Sequence, residues 1–420
     1  MAGESIQPSA PASVRAVLGW CGVLHVFTHL YNVILLPLYL PIQRDLGLTR
    51  VDQATGLMTA MMLGYVLPGY FIGLLADRWN RRLLLGWGLL VSALGLIGLS
   101  QARSFPVALA FVVLSGIGGS CYHPAANALI AQACPLNTGR AFGLVGIGAS
   151  VGFFIGPLYA GWRAQHAGWR QPVLEAGLAG LAMAIIFLRW SSDPPPARRS
   201  PAAAARRLFP TAVALGWFVL TCLGFSLRDF GASAMASLSS LFLQQAHGFS
   251  IERTGVALSV IFLASAVSNP LVGHLSDRGQ GRWITIVLLA AALVMIIFPF
   301  VPAAGAASAL AVYGFFLLAS FPITESALVV CVPDELRGRI FGLFLSIAGL
   351  IGNLGHWQAG VWVNHLGPDA HTASAYRPLF AGLALLVALA PLAMPALRRL
   401  QQQHQPRSPG PVTPQPAPIA

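Results

Sequence analysis

The sequence predicts an all-α membrane protein of twelve transmembrane helices, arranged as two pseudo-symmetric six-helix bundles. Three observations carry this expectation. Of 420 residues, 56% are hydrophobic and only 9% charged, where a soluble domain has about 25% charged. The apolar residues fall in twelve runs separated by short polar breaks. Short motifs recur about 200 residues apart in a near-constant register. About 235 apolar residues exceed what one or two soluble cores can hide, but they suffice for roughly twelve spans of about 20 residues. Lipid cannot satisfy an exposed backbone, so each span is expected to be helical. A soluble enzyme, a disordered chain, a disulfide scaffold and a nucleic-acid binder are excluded.

In chain order, the runs of the first half cover 15–40, 54–76, 83–100, 106–133, 141–162 and 171–188. The first run is too long for a signal-peptide core, and only Arg15 precedes it, so no cleavable signal is expected. The runs of the second half cover 211–243, 254–275, 283–301, 306–331, 340–364 and 378–397. Many runs carry Gly or Pro, which bilayer helices tolerate. The longest polar interruption contains Pro194-Pro195-Pro196, Arg198-Arg199 and Arg206-Arg207. The expected organisation is an N-terminal tail (1–14), a first bundle (15–189), a linker (190–210), a second bundle (211–397) and a Gln- and Pro-rich disordered tail (398–420).

The formal charge of +12 reflects 25 basic residues, all Arg. With both termini on the cytoplasmic side, 17 Arg fall inside, seven outside, and Arg228 lies within a span. This asymmetry is the one expected for a multi-pass protein with both termini cytoplasmic. The partner of the charge is then the lipid headgroup layer, not nucleic acid. The five Cys (21, 121, 134, 222 and 331) form no close pair and read as buried packing residues.

The repeat is read directly. Gly73-Leu74-Leu75-Ala76-Asp77-Arg78 returns as Gly273-His274-Leu275-Ser276-Asp277-Arg278, offset 200. Phe142-Gly143-Leu144 returns at Phe341, and Gly156-Pro157 at Gly355-His356, both offset 199. His123-Pro124 aligns with Phe321-Pro322, offset 198, and Gly19-Trp20 with Gly216-Trp217, offset 197. Parallel copies of this kind place a substrate site at their interface.

The loop Gly73-x-x-x-Asp77-Arg78-x-x-Arg81-Arg82, with its weaker copy Gly273, Asp277, Arg278 and Arg282, resembles the signature loop of the major facilitator superfamily. The resemblance implies that these residues latch the two halves in one state and release them in the other; a plain positive-inside anchor is the alternative. Gly152-x-x-x-Gly156-Pro157-x-x-x-Gly161 resembles the Gly-Pro motif common in the family's proton-driven exporters, and small residues at this spacing also allow close helix packing. The family's helix-4 Arg is absent from Leu114–Gly119. Gly116 to Pro124, with Thr28 to Asn32, is similar to the fosmidomycin-resistance branch, although Val33 follows Asn32 where that branch has Asp.

Ionisable groups within spans are costly and are functional candidates by default. Helix 1 offers His25, Thr28, His29 and Asn32 on one face. This face is read as lining the substrate and proton pathway, where His can relay protons, with hydrogen-bonded packing histidines as the alternative. A His pair at i and i+4 also suits a metal, but no third ligand is evident, so no metal is expected. Helix 4 adds His123 and Asn127. Helix 7 holds Arg228 and Asp229, whose Cβ directions differ by about 100°, so they are not expected as a side-by-side pair. Helix 10 holds Glu325. Asp229 or Glu325 would carry a proton, and Arg228 would bind an anion or pair with Glu325; a fixed structural ion pair is the alternative. In helix 11, His356 and Trp357 could contact substrate or simply pack.

The function expected from these residues and the resemblance is proton-coupled export of a small organic compound by alternating access, in the inner membrane of a bacterium, by a monomer. No cofactor is expected; the proton gradient supplies the energy. The competing reading is an uptake symporter for a small organic anion such as a carboxylate. No Gly-x-Ser-x-Gly elbow or nucleotide loop suggests an enzyme.

Overall fold

A computed structural model describes residues 13–76, 78–134, 138–192, 208–276, 279–330 and 337–404. Among these residues there are helices and no strands. The spans, numbered here α1–α12, follow the twelve runs. The first six are α1 Val14–Asp45, α2 Val51–Ala76, α3 Arg81–Gln101, α4 Phe105–Ala133, α5 Thr138–Ala167 and α6 Arg170–Trp190. The second six are α7 Ala212–Gln245, α8 Ile251–Ser276, α9 Gln280–Ile297, α10 Ala306–Val330, α11 (Arg337–Gly352 then Leu354–Leu366) and α12 Ala373–Gln403. Eleven are long and apolar enough as single stretches to cross a membrane. The eleventh run, α11, instead comprises two shorter helices meeting at Asn353, whose N–H still bonds to Gly349 O.

Helix ends and breaks have local causes. Ser13 caps α1 by accepting from the Ala16 N–H at 3.2 Å. α1 is interrupted after Tyr31 and resumes through a 3-10 turn at Leu36–Leu38, where Pro37 lacks a donor. α2 breaks at Leu67-Pro68, and α4 at Cys121, three residues before Pro124. The expected tail boundary at residue 398 is corrected: the last helix continues to His404. Leu397 and Leu400 are fully buried beneath it, and Gln401 reaches Ala327 O at 3.4 Å. That buried stripe supports another two turns despite the polar composition. Within the expected linker, residues 193–207 lie outside the described residues.

The helix pairing repeats. In the first half, α1 packs on α5, α2 on α4, and α3 on both α4 and α6. In the second half, α7 packs on α11, α8 on α10, and α9 on both α10 and α12. Adding six to every number of the first set gives the second. Between the halves, α2 packs on α11 and α5 on α8, and the same shift exchanges these two seams.

Glycine sets how closely α5 approaches its neighbours. A Cβ on Gly152 would collide with the Val26 carbonyl of α1, and one on Gly156 would lie 2.6 Å from Val33 Cγ2. Further along, a Cβ on Gly161 would lie 2.9 Å from Gly255 Cα of α8. The stripe therefore serves two partners, α1 within the half and α8 across the seam.

Candidate functional site

Two polar clusters occupy equivalent positions in the two halves. The first lies where α1 meets α4. The i, i+4 spacing stacks His25 above His29, with ring centroids 4.6 Å apart. His123 of α4 completes a triangle, 5.3 Å from His25 and 5.5 Å from His29. Tyr122 stacks on His25 at 4.7 Å, and Phe153 of α5 covers His29 at 4.2 Å. Phe153 in turn stacks on Phe262 of α8 at 4.9 Å and 9°, so the cluster reaches the other half. Asn32 lies at the break of α1, and Asn127 lies one turn beyond His123, half-buried.

The hydrogen bonds assign the tautomers of the neutral rings. His25 Nδ1 lies 3.0 Å from the Val145 carbonyl, which can only accept. His25 therefore carries its proton on Nδ1 and presents a lone pair at Nε2. His29 Nε2, 3.0 Å from that lone pair, donates to it. This leaves His29 Nδ1 as a buried lone pair without a donor among the described residues.

The second cluster joins α7 and α10. Arg228, only 2% exposed, donates from Nε to Asp229 Oδ1 at 2.8 Å. The expectation that these two would not pair is corrected. It considered only Cβ directions, whereas the four-atom reach of the Arg side chain brings its Nε back to the adjacent carboxylate. Arg228 Nη1 donates to Thr324 Oγ1 at 2.9 Å and to the Ser320 carbonyl at 3.3 Å. The guanidinium lies over the Phe321 ring, 4.0 Å from its centroid. Glu325 has no ion pair within 4 Å among the described residues, so of the two roles read for Arg228, anion binding or pairing with Glu325, the pairing is not formed. Burial, a hydrogen-bonded carboxylate and a π face together let α7 hold a charge in a bilayer.

The pair in α11 serves a different place. His356 is buried, with Nδ1 2.7 Å from Ser237 Oγ, and Ser237 Oγ lies 2.8 Å from Tyr39 OH of α1. The Trp357 N–H donates to Thr59 Oγ1 of α2, and Thr59 donates to the Asn353 carbonyl, both at 2.9 Å. Nearby, the Val51 N–H donates to Asn364 Oδ1 at 3.0 Å, and Asn364 also donates to Asp52, which Arg50 grips at 2.8 Å. Ser240 and Gln244 of α7 donate to the Leu36 and Pro37 carbonyls, groups available because α1 is broken there. These bonds lie toward the membrane face that carries the α1–α2, α5–α6, α7–α8 and α11–α12 connections. One cross-half bond, Ser346 to the Val66 carbonyl at 3.2 Å, lies on the other side of Asn353. His356 and Trp357 thus knit the halves together at one face.

Of the signature loop, Asp77, Asp277 and Arg278 lie outside the described residues. Arg78 is exposed. Arg81 donates to Gln132 Oε1 at 2.9 Å and to the Ala76 carbonyl at 3.2 Å. Arg82 donates to Ser191 Oγ at 2.8 Å and to the Leu188 carbonyl. These contacts tie the start of α3 to α4 and α6 within the first half. Gly273 lies in the last turns of α8, and the Arg282 N–H bonds to the Gly279 carbonyl in the first turn of α9.

Sequence reasoning singled out eight of these clustered side chains but missed Tyr122, Phe153, Thr324 and Phe321. The repeat held a signal for one of them, since it aligns Phe321 with His123. Phe153 lies one residue after Gly152, in a stretch read only for its glycines.

Comparison with known proteins gives a consistent picture. A family model described as Major Facilitator Superfamily matches residues 21–356 and 221–420. An uncharacterised MFS-type transporter, YfnC of Bacillus subtilis, is 24% identical over 402 residues, covering 93% of this chain and 96% of its own. Multidrug resistance protein MdtG of Serratia proteamaculans is 27% identical over 372 residues, covering 84% and 85%. A bacterial homologue of the human lysosomal transporter Spinster, in an inward-facing and occupied conformation, superposes with TM-score 0.77 at 20% identity, covering 93% and 98%. A D-xylose–proton symporter superposes with TM-score 0.74 at 14% identity, covering 91% and 97%.

Proposed function

The chain belongs to the Major Facilitator Superfamily, a multi-pass membrane transporter family, and we propose that it is a proton-coupled exporter of a small organic compound. The observation that carries the coupling is the intramembrane ion cluster of α7 and α10. Arg228 and Asp229 are paired there, while Glu325 stands beside them without an ion pair among the described residues. A carboxylate next to an Arg that can change partners gains and loses a proton as the conformation changes. Export draws support from the Gly-Pro stripe of α5 and from the likeness to a protein named for multidrug resistance.

In this reading both termini are cytoplasmic in a bacterial inner membrane. The face sealed by Thr59, Asn364 and Ser240 is external, so the conformation is inward-facing. Alternating access then requires the α2–α11 and α5–α8 seams to open externally, and the Gly73–Arg82 loop and its copy act as the opposing latch. The protein works as a monomer, with protons and lipid as its other partners.

Everted vesicles from an overexpressing strain test the proposal. A candidate compound that inhibits growth less when the protein is overexpressed should accumulate in these vesicles when the lumen is made acid. Lack of accumulation above that of vesicles without the protein would overturn export of that compound. One observation favours uptake of a small organic anion as a second reading: Arg228 Nη2 has no hydrogen-bond partner among the described residues. Proton-driven uptake of a carboxylate into right-side-out vesicles would support that alternative.

A further inference from the structure

The sequence alone shows two imidazoles on one face of α1 and no third ligand. The structure supplies the third. His25, His29 and His123 each offer a ring nitrogen, and the three atoms lie within 4.8 Å of one another. The ring triangle has sides of 4.6, 5.3 and 5.5 Å. Metal–nitrogen bonds of about 2.0–2.1 Å at tetrahedral angles put imidazole centroids about 5 Å apart. The rings therefore already stand near the spacing that a bound ion requires.

Two further features suit a metal. A ligating His usually donates its other ring N–H to a carbonyl or carboxylate, which fixes the ring and raises its basicity. His25 does this: Nδ1 donates to the Val145 carbonyl of α5, leaving Nε2 directed at His29. His29 carries the second feature. Its Nδ1 is a buried lone pair with no donor among the described residues, and an orphaned acceptor of that kind is satisfied by a cation. An ion on His25 Nε2 takes the lone pair that now accepts from His29, so binding breaks that hydrogen bond, and His29 ligates through Nδ1, or through Nε2 once its proton has moved to Nδ1.

We propose that His25, His29 and His123 form a three-imidazole binding site for a divalent transition-metal ion of the zinc and nickel class. The donor set selects the ion. Three neutral imidazoles suit borderline ions such as Zn²⁺, Ni²⁺ and Co²⁺, and disfavour Mg²⁺ and Ca²⁺, which take oxygen ligands. No carboxylate or thiolate belongs to the group. The fourth position is thus left to water or to an anionic donor, and the bound ion keeps its full charge. Binding would clamp α1 to α4 and order both against α5 through Val145 and Phe153. Metal binding here depends on the three rings and the Val145 carbonyl, whatever the direction and substrate of transport.

The test uses the full chain in detergent, purified through a tag free of histidine, with Co²⁺ and Zn²⁺ as probes and no transport substrate. Wild type should bind Zn²⁺ at one equivalent by calorimetry, and Co²⁺ should give the intense visible absorption of a tetrahedral site. Mg²⁺ should not compete. His29→Asn and His123→Ala should each weaken binding by at least about tenfold and abolish the absorption. His166→Ala, on the exposed end of α5, should change neither. Size-exclusion profiles establish that the variants are folded. If His29→Asn fails to fold, His29→Gln and the wild-type Co²⁺ spectrum still decide the matter. The proposal is overturned by no saturable binding to wild type, by an octahedral Co²⁺ spectrum, or by undiminished binding in folded His29 and His123 variants.

Discussion

The guanidinium carbon of Arg228 lies 4.0 Å from the ring centroid of Phe321, and Phe321 is the residue that the internal repeat aligns with His123. An aromatic ring on the fourth helix of each half thus faces a polar group on the first. In α4 that ring belongs to a group of imidazoles; in α10 it supports a buried cation.

The Arg228–Asp229 pair should be costly to halve. Removing one member of a buried pair leaves an uncompensated charge, at about 3–5 kcal/mol. Asp229→Asn should therefore lower the thermal midpoint of the purified protein markedly. The double change Arg228→Met with Asp229→Leu should recover at least half of the loss. Equal losses in the single and double variants would count against a paired charge in α7.

Glu325 gives the contrasting case, because it has no ion pair among the described residues to break. Glu325→Gln should lower the thermal midpoint less than Asp229→Asn does, because no ion pair among the described residues is lost with it. It should nonetheless abolish transport driven by a pH gradient while sparing exchange of substrate across the membrane. Preserved gradient-driven transport would remove Glu325 from the coupling path.

Glycine positions on α5 should separate by what faces them. Gly152→Ala must push a methyl group into the Val26 carbonyl, with a cost of about 1–3 kcal/mol for overpacking. Gly146→Ala meets nothing within 4 Å and should stabilise the helix by up to about 1 kcal/mol. Melting of the two variants side by side checks the sign of each effect.

The seam at Thr59 should govern how often this face opens. Thr59→Ala removes two cross-half hydrogen bonds, at about 1 kcal/mol net each. A cysteine at buried Ser237, in a background without native Cys, reports opening through its labelling by a water-soluble maleimide. Labelling should rise at least about fivefold in the Thr59→Ala background. An unchanged rate would show that the seam is held elsewhere.

His247 offers a test by pH, since it lies in the connection between α7 and α8, outside the spans. Burial against Phe242, at 4.6 Å, lowers its pKa below the ordinary histidine value, and its Nε2 has no partner among the described residues. The folded state therefore prefers the neutral ring. The unfolded chain takes up the proton first, as pH falls through about 6.5, so this contribution to stability is full above that pH and is lost below it. His247→Gln should flatten the fall in thermal midpoint between pH 7 and pH 5. An unaltered slope would assign the acid sensitivity to other groups.

The hydropathy runs made most of the fold legible, because a bilayer forces each long apolar run into a helix. The repeat similarly revealed that the halves are related. Interruptions were less legible: Pro37 and Pro68 lie inside apolar runs, where hydropathy hides their effect on hydrogen bonding. Asn353 divides α11 without any proline. The site was legible as a set of residues but not as contacts. His25 and His123 are 98 positions apart, and nothing in either local pattern states that their rings meet. The contact between Arg228 and Asp229 is not legible in the sequence, because helical geometry fixes where a side chain starts and not how far it bends back.

The two halves share a helix arrangement, yet the equivalent positions hold three imidazoles in one and a paired arginine and aspartate in the other. A cargo lodged between them would meet unlike walls. It could not be turned end for end without changing its contacts, so a symmetric scaffold here gives its cargo a head and a tail.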